Sequence, residues 1–172
     1  MQRGTALVTG SSSGFGLLTC VALHARGFKV YASMRDPERS GPLREALEDS
    51  GFGASRVEIV ALDVTSAEQS EALVERILDA EGAVDVLVNN AGMMVMGFAE
   101  DIDEATLREQ FETNFFGLVR LTRMLLPAMR ERRWGRVINV SSVAGRRAIP
   151  GHSVYAASKF ALEGWSEGCA AR

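Results

Sequence analysis

Short apolar runs alternate with stretches of helical periodicity along the whole chain. The runs lie at 5–9, 28–32, 57–62, 84–88 and 136–141, and helical patterns occupy 15–26, 41–49, 68–80 and 103–132, with a last one starting near 153. Strands that alternate this way with helices must pair in parallel, because each connection is a crossover, and helices then cover both faces of the sheet. The runs are apolar throughout, as strands buried on both faces are. The spacing therefore predicts a doubly wound, Rossmann-like α/β fold with about five strands, in one domain over 1–172. Such sheets bind ligands beyond the carboxyl ends of their strands.

Finer expectations come from local signals. Gly27 stops the first helix. Thr65 and Glu68 read as a capping box for the third. Leu107, Phe111, Phe115, Leu118, Leu121 and Leu125 recur at helical spacing, which predicts one long helix, kinked or broken near Pro127. Trp134 and Trp165 read as packing residues, and His24 as packed or at the surface.

Composition narrows the function. A formal net charge of -3 argues against nucleic acid as the partner. Arg130, Arg132, Arg133 and Arg136 read as cations at a helix end, where the dipole favours them. The two cysteines, Cys20 and Cys169, are far apart and lack metal-ligand spacing, so a reduced, cytoplasmic setting without metal is expected. No signal peptide is apparent, and no apolar stretch is long enough to span a bilayer.

Residues with chemical potential fall where strands end. The first run closes with Gly10, Ser11, Ser12, Ser13, Gly14, Phe15 and Gly16. Glycines there permit a tight turn and let backbone approach a pyrophosphate at a helix N-terminus. Past the second run come Met34, Arg35 and Asp36, with Met34 read as the first position beyond the strand and Arg35 as the next. Arg35 offers a fixed fork for the 2'-phosphate of NADP, whereas Asp36 could hold the ribose hydroxyl of NAD if the strand ran further. NADP(H) is favoured and NAD(H) stays open. Asp63 follows the third run, where a carboxylate could accept from an adenine amino group or serve only helix entry. Asn89, Asn90, Ala91 and Gly92 follow the fourth. Tyr155 and Lys159 are four apart, on one face of the last helix, and Ser142 lies at the end of the fifth run. Hydroxyl, phenol and ammonium could thus converge beside a nicotinamide. His152 could line a substrate cleft. Met93, Met94 and Met96 could form its apolar wall or fill core.

Together these motifs resemble the short-chain dehydrogenase/reductase family, from Thr5 to about Glu167. Thr9-Gly10-x-x-x-Gly14-x-Gly16, Asn89-Asn90-Ala91-Gly92, Ser142, Tyr155 and Lys159 match its pattern in order and spacing, and Asn114 falls at its helix-borne asparagine. The stretch 29–36 is similar to the branch with estradiol 17-beta-dehydrogenase type 1 and retinol dehydrogenases. The resemblance implies an oxidoreductase that interconverts an alcohol and a carbonyl, acting on a small, apolar substrate. Tyr155 would be the acid/base, with Lys159 stabilising its phenolate and holding the nicotinamide ribose. Ser142 would bind the substrate oxygen, and Asn114 would hold a water leading from Lys159. Gly10, Ser12, Ser13, Gly14, Phe15, Gly16, Arg35, Asp63, Val64, Asn90, Ala91, Gly92, Tyr155 and Lys159 would hold the cofactor, with Ser12 assisting Arg35 at the 2'-phosphate. A homo-oligomer built on the long helix and the last helix is also implied.

Family members continue beyond the helix that bears Tyr155 with further strands and a segment that covers the substrate. A C-terminally incomplete domain is therefore expected, with the fifth strand left as an edge. A truncated, non-catalytic dinucleotide-binding or interaction module is the competing expectation.

Overall fold

The computed structural model describes residues 4–169; Ala170, Ala171 and Arg172 lie outside the described residues. Its strands are β1 (Thr5–Thr9), β2 (Lys29–Met34), β3 (Val57–Ala61), β4 (Val86–Asn89) and β5 (Arg136–Asn139). They form one five-stranded sheet in the order β3-β2-β1-β4-β5. Every pairing is parallel, with Leu7 of β1 set between Tyr31 of β2 and Leu87 of β4. The chain steps outward from β1 to β3 and then returns to place β4 on the other side of β1. This reversal opens a crevice above the carboxyl ends of β1 and β4.

The helices are α1 (Gly14–Ala25), α2 (Gly41–Asp49), α3 (Ala67–Glu81), α4 (Glu104–Phe111), α5 (Gly117–Glu131) and α6 (Ser153–Cys169). Side chains of a strand alternate between faces. Leu7, Tyr31, Val60 and Leu87 accordingly meet Leu73 and Ile77 of α3 and Leu121 and Leu125 of α5. Ala6, Val8, Val30 and Ala32 meet Leu17 and Cys20 of α1 and Leu43 and Leu47 of α2. Each fully buried aliphatic side chain contributes roughly 1.5–3 kcal/mol, so these two layers hold the sheet. Cys20 is packed there, and burial pushes its thiol up to about 12, which makes it inert at neutral pH.

Several local expectations are corrected. β3 and β5 end one and two residues earlier than the apolar runs suggest, and β4 begins two later. The cap of α3 is Ser66, whose side chain accepts from the Gln69 N–H; it is not the Thr65–Glu68 pair. The Asp63 carboxylate takes both the Thr65 N–H at 2.9 Å and the Thr65 hydroxyl at 2.7 Å, which holds Thr65 in a turn and moves the helix start along.

The long helical stretch is interrupted, and not at Pro127. A π-turn occupies Glu112–Phe116, between α4 and α5. A π-turn adds a residue and rotates the helix beyond it. Past that point Leu118, Leu121 and Leu125 are buried as expected; before it the buried side chain is Gln110, while Leu107 is exposed. Pro127 is solvent-facing inside α5, which runs on to Glu131; water can serve the carbonyl that the missing N–H leaves free. Trp134 does not pack inside: it is exposed, with the Arg136 guanidinium 4.7 Å from its ring centroid. No described helix is long and apolar enough to cross a membrane.

Candidate active site

The turn after β1 and the turn after β4 interlock. The Thr9 hydroxyl oxygen accepts from the N–H groups of Asn90 (3.0 Å) and Ala91 (2.9 Å). The Asn90 amide donates to the carbonyls of Thr9 (2.9 Å) and Gly10 (3.0 Å). Gly10 has φ +69°, and a Cβ there would stand 2.8 Å from Ala91 Cα. A Cβ on Gly16 would stand 2.2 Å from the Gly10 carbonyl oxygen. Only glycines fit both places, and the helix N-terminus with its free N–H groups is drawn against the turn. Ser11 is buried and donates to the Ser33 carbonyl at 2.8 Å, tying the same turn to β2.

Over these turns lies a cleft of about 430 Å³. Of the residues expected to hold a cofactor, Gly10, Ser12, Ser13, Arg35, Asp63, Val64, Asn90, Ala91 and Gly92 line it. Gly14, Phe15 and Gly16 do not. Gly16 shapes the turn from beneath, and the Phe15 ring is 76% exposed, leaving its backbone as the useful part. β2 runs two residues further than the apolar run suggests and ends at Met34, so Arg35, not Met34, is the first residue past the strand. Asp36 is spent on structure: its carboxylate caps a 3-10 turn, accepting from the Glu38 N–H at 3.0 Å. That turn also brings Arg39, which no sequence motif marks, to the cleft wall. Among the described residues neither Arg35 nor Arg39 has a carboxylate within ion-pair reach.

Val64, on the cleft floor, is braced from α5. A Cβ on Gly117 would stand 2.5 Å from the Val64 carbonyl oxygen. The same carbonyl accepts from Arg120 at 3.1 Å, and Arg120 is held in turn by Glu112 at 2.6 Å.

The remaining expected residues, Asn114, Ser142, Tyr155 and Lys159, are not among those that line this cleft. Lys159 is buried, and its Nζ donates to the Val140 carbonyl just past β5 at 2.8 Å. Burial pushes its pKa below the usual lysine value, since desolvation disfavours the charged form. Its Nζ lies 5.9 Å from the Tyr155 ring centroid and 3.9 Å from where a Cβ on Gly92 would sit. Ser142 heads a 3-10 turn, its hydroxyl oxygen accepting from the Ala144 N–H at 3.1 Å. That turn rests on α6: a Cβ on Gly145 would stand 3.0 Å from the Lys159 carbonyl oxygen. Among the described residues no hydrogen bond joins the Ser142 and Tyr155 hydroxyls.

Asn114 is fully buried in the π-turn. Its Oδ1 accepts from the Met93 N–H at 2.8 Å, and its Nδ2 donates to the Met93 carbonyl (2.9 Å) and the Ser158 hydroxyl (3.1 Å). Both amide protons are thus committed to the protein. Asn89 is a structural tie rather than part of the cleft wall. Its Nδ2 donates to Thr122 (3.0 Å) and Asn139 (2.8 Å), and Asn139 donates to Ser166 of α6 (2.8 Å). Met94 and Met96 are 52% and 65% exposed, which favours an apolar wall over core filling. His152 is half-buried, bridged to Gly97, with its Nδ1 3.1 Å from the Pro150 carbonyl. His24 is buried, the packed one of its two expected roles.

The family model described as short chain dehydrogenase matches residues 4–172. The chain belongs to that family. It is 46% identical over 167 residues to the uncharacterized oxidoreductase YusZ of Bacillus subtilis, covering 97% of this chain and 59% of that protein. It is 41% identical over 173 residues to estradiol 17-beta-dehydrogenase 1 of the rat, covering 99% and 50%. Among solved structures, a short-chain dehydrogenase from Streptomyces avermitilis superposes with a TM-score of 0.91 at 43% identity, over 99% of this chain and 60% of that one. A metagenomic short-chain oxidoreductase in complex with NADP superposes with a TM-score of 0.90 at 30% identity, over 98% and 75%. The chain spans about half to three fifths of the length of the curated relatives it matches.

Proposed function

We propose that this chain carries the cofactor site and the acid/base group of an NADP-dependent oxidoreductase that interconverts an apolar alcohol and its carbonyl. The observation that carries the reading is the meeting of three elements. A glycine-turn cleft with two unpaired arginines ends, at Gly92, beside a buried lysine, and that lysine sits one helical turn from Tyr155.

The residues fit a dinucleotide. The Gly10–Gly16 interlock leaves backbone N–H groups open to a pyrophosphate. Val64 and Asp63 would hold the adenine, though Asp63 Oδ1 is already shared with Thr65. Arg35, Arg39 and Ser12 would hold a 2'-phosphate, and Asp36 is turned to its own backbone, which favours NADP(H) over NAD(H). The NADP complex of a similar oxidoreductase supports the same choice. The chemistry supplied by such a cofactor is hydride transfer at its nicotinamide.

Tyr155 gives its proton to the carbonyl oxygen in reduction and takes it from the alcohol in oxidation. A free phenol holds its proton far above neutral pH. Lys159 stabilises the phenolate by its charge, and burial strengthens that effect by excluding water. Ser142 orients the substrate oxygen. Asn114 holds the Met93 backbone and Ser158 through its side chain, and a water leading from Lys159 would donate to one of its oxygens rather than accept from its Nδ2. Met94 and Met96 make the substrate side apolar. Leu107, Phe116 and Phe160 are exposed on α4, the π-turn and α6, and fit the homo-oligomer that the family resemblance implies. A reduced, cytoplasmic setting agrees with two unpaired thiols.

Titration with NADPH and NADH by cofactor fluorescence tests the cofactor. NADPH should bind at least about tenfold more tightly, and Arg35→Gln should erase most of that margin while leaving NADH unchanged. Tighter NADH binding would reverse the assignment of Arg35. Tyr155→Phe should cut oxidation of estradiol or retinol by at least about a hundredfold and leave NADPH affinity intact. Full turnover in that variant would remove Tyr155 as the acid/base. Binding of NADPH without any turnover of an alcohol panel would favour the non-catalytic module.

A further inference from the structure

Gln110 is fully buried on the last turn of α4, where the apolar pattern gives no reason to expect a polar side chain inside. Its Oε1 accepts from the Val95 N–H at 2.7 Å, and its Nε2 donates to the Met93 carbonyl at 2.7 Å. One amide thus serves a donor and an acceptor two residues apart on an irregular segment, as a neighbouring strand would. Asn114, one turn further on, donates to the same Met93 carbonyl and accepts from the Met93 N–H. Met93 comes directly after Asn90, Ala91 and Gly92, and it lines the same cleft. The segment's far end is tied to the approach to α6, because the Gly97 N–H donates to the Gly151 carbonyl at 2.9 Å, just ahead of Tyr155.

We propose that Gln110 is a positioning residue: it sets the Met93–Val95 backbone, and through it the wall of the cofactor cleft nearest Lys159 and the apolar edge formed by Met94 and Met96. The inference rests on the proposed cofactor site and deepens it. The amide is needed for its two-sided character. A thioether of similar length makes neither bond. A carboxylate accepts from Val95 but opposes the Met93 carbonyl. A protonated carboxyl restores both bonds, since it carries one donor and one acceptor.

NADPH affinity measured from pH 5.5 to 8.5 in the parent, Gln110→Met and Gln110→Glu tests this, with melting temperatures recorded alongside. Burial raises the pKa of an introduced carboxyl into reach of this range; Lys159, the buried cation on the neighbouring α6, acts the other way. Gln110→Met should bind NADPH about tenfold more weakly at every pH. Gln110→Glu should match the parent at the acid end and weaken towards the same loss as the pH rises, relative to the parent at each pH. Unchanged affinity in both variants with lowered melting temperatures would make Gln110 a stability residue only and overturn the proposal. Loss in Gln110→Glu that ignores pH would also overturn it. Should Gln110→Met fail to fold, the acid-end behaviour of Gln110→Glu decides. A parent that binds no NADPH removes the cofactor site first, an outcome separate from any difference between variants.

Discussion

The two sides of the cleft are built by different means. On the β2–β3 side, β1 is buried along its whole length and β2 nearly so, and the turn is shaped by missing side chains: Gly10 and Gly16 exist so that backbones can touch. On the β5 side the strand is only half-covered, and position is set by polar side chains reaching across elements: Asn89 to Asn139, Asn114 and Gln110 to Met93, Lys159 to Val140. Backbone contact fixes the first side tightly and cannot adjust. Hydrogen bonds fix the second in orientation, and each buried partner left alone would cost about 1–3 kcal/mol. On the function proposed above, the first side would serve a nucleotide, which needs a constant shape, and the second would handle protons and a variable substrate, which need placed polar groups.

The comparison breaks first at Gly16. Gly16→Ala puts a methyl carbon on a backbone carbonyl, which cannot move aside as a side-chain tip does. It should lower stability by about 1–3 kcal/mol and NADPH affinity by at least about tenfold. Gly14→Ala is the control: its φ is +57° but nothing lies within 4 Å of the added carbon, so only the left-handed strain of about 1 kcal/mol applies. Equal losses in the two would mean that turn strain, not the interlock with Gly10 and Asn90, shapes the nucleotide side. Thermal melts and cofactor titration of both variants decide.

The polar side is sharpened at Lys159. Burial places its folded-state pKa below the ordinary 10.5. Between those two values the unfolded chain holds the extra proton, so stability rises with pH across that window; below it the destabilisation is present in full. Lys159→Met removes the titration while keeping most of the volume. The melting temperature of the variant minus that of the parent should therefore be more favourable at pH 7 than at pH 10. The lost bond to Val140 lowers the variant at both pH values and leaves that slope in place. A difference that does not change with pH would show that the ammonium is solvated better than its burial implies.

This division also explains what can be read from the chain alone. The sheet, the glycine turn, Arg35 and the Tyr155–Lys159 pair are local patterns, and each is legible from spacing or strand-end position. The π-turn leaves no such trace, because Leu107, Phe111 and Phe115 keep helical spacing straight through the point where the helix changes its register. Gln110 is hidden for the same reason: a glutamine in an amphipathic pattern reads as surface until a tertiary partner is known. The cap of α3 falls one position away from the expected Thr65 because Thr65 and Ser66 are both good caps, and the Asp63 carboxylate makes the choice between them.

The smallest effect belongs to Phe15, and it separates backbone from side chain on the nucleotide side. Phe15 sits in the first turn of α1, between the two glycines that define the site, yet its ring is 76% exposed and absent from the cleft wall. If that side works through backbone alone, only the Phe15 amide matters, and every residue but proline supplies one. Phe15→Ser should then change stability by no more than about 0.5 kcal/mol, as for an ordinary surface site. NADPH affinity should stay within about twofold. A larger loss of affinity with unchanged melting would give the ring a direct role against the cofactor or a covering segment, and the nucleotide side would no longer be a backbone device.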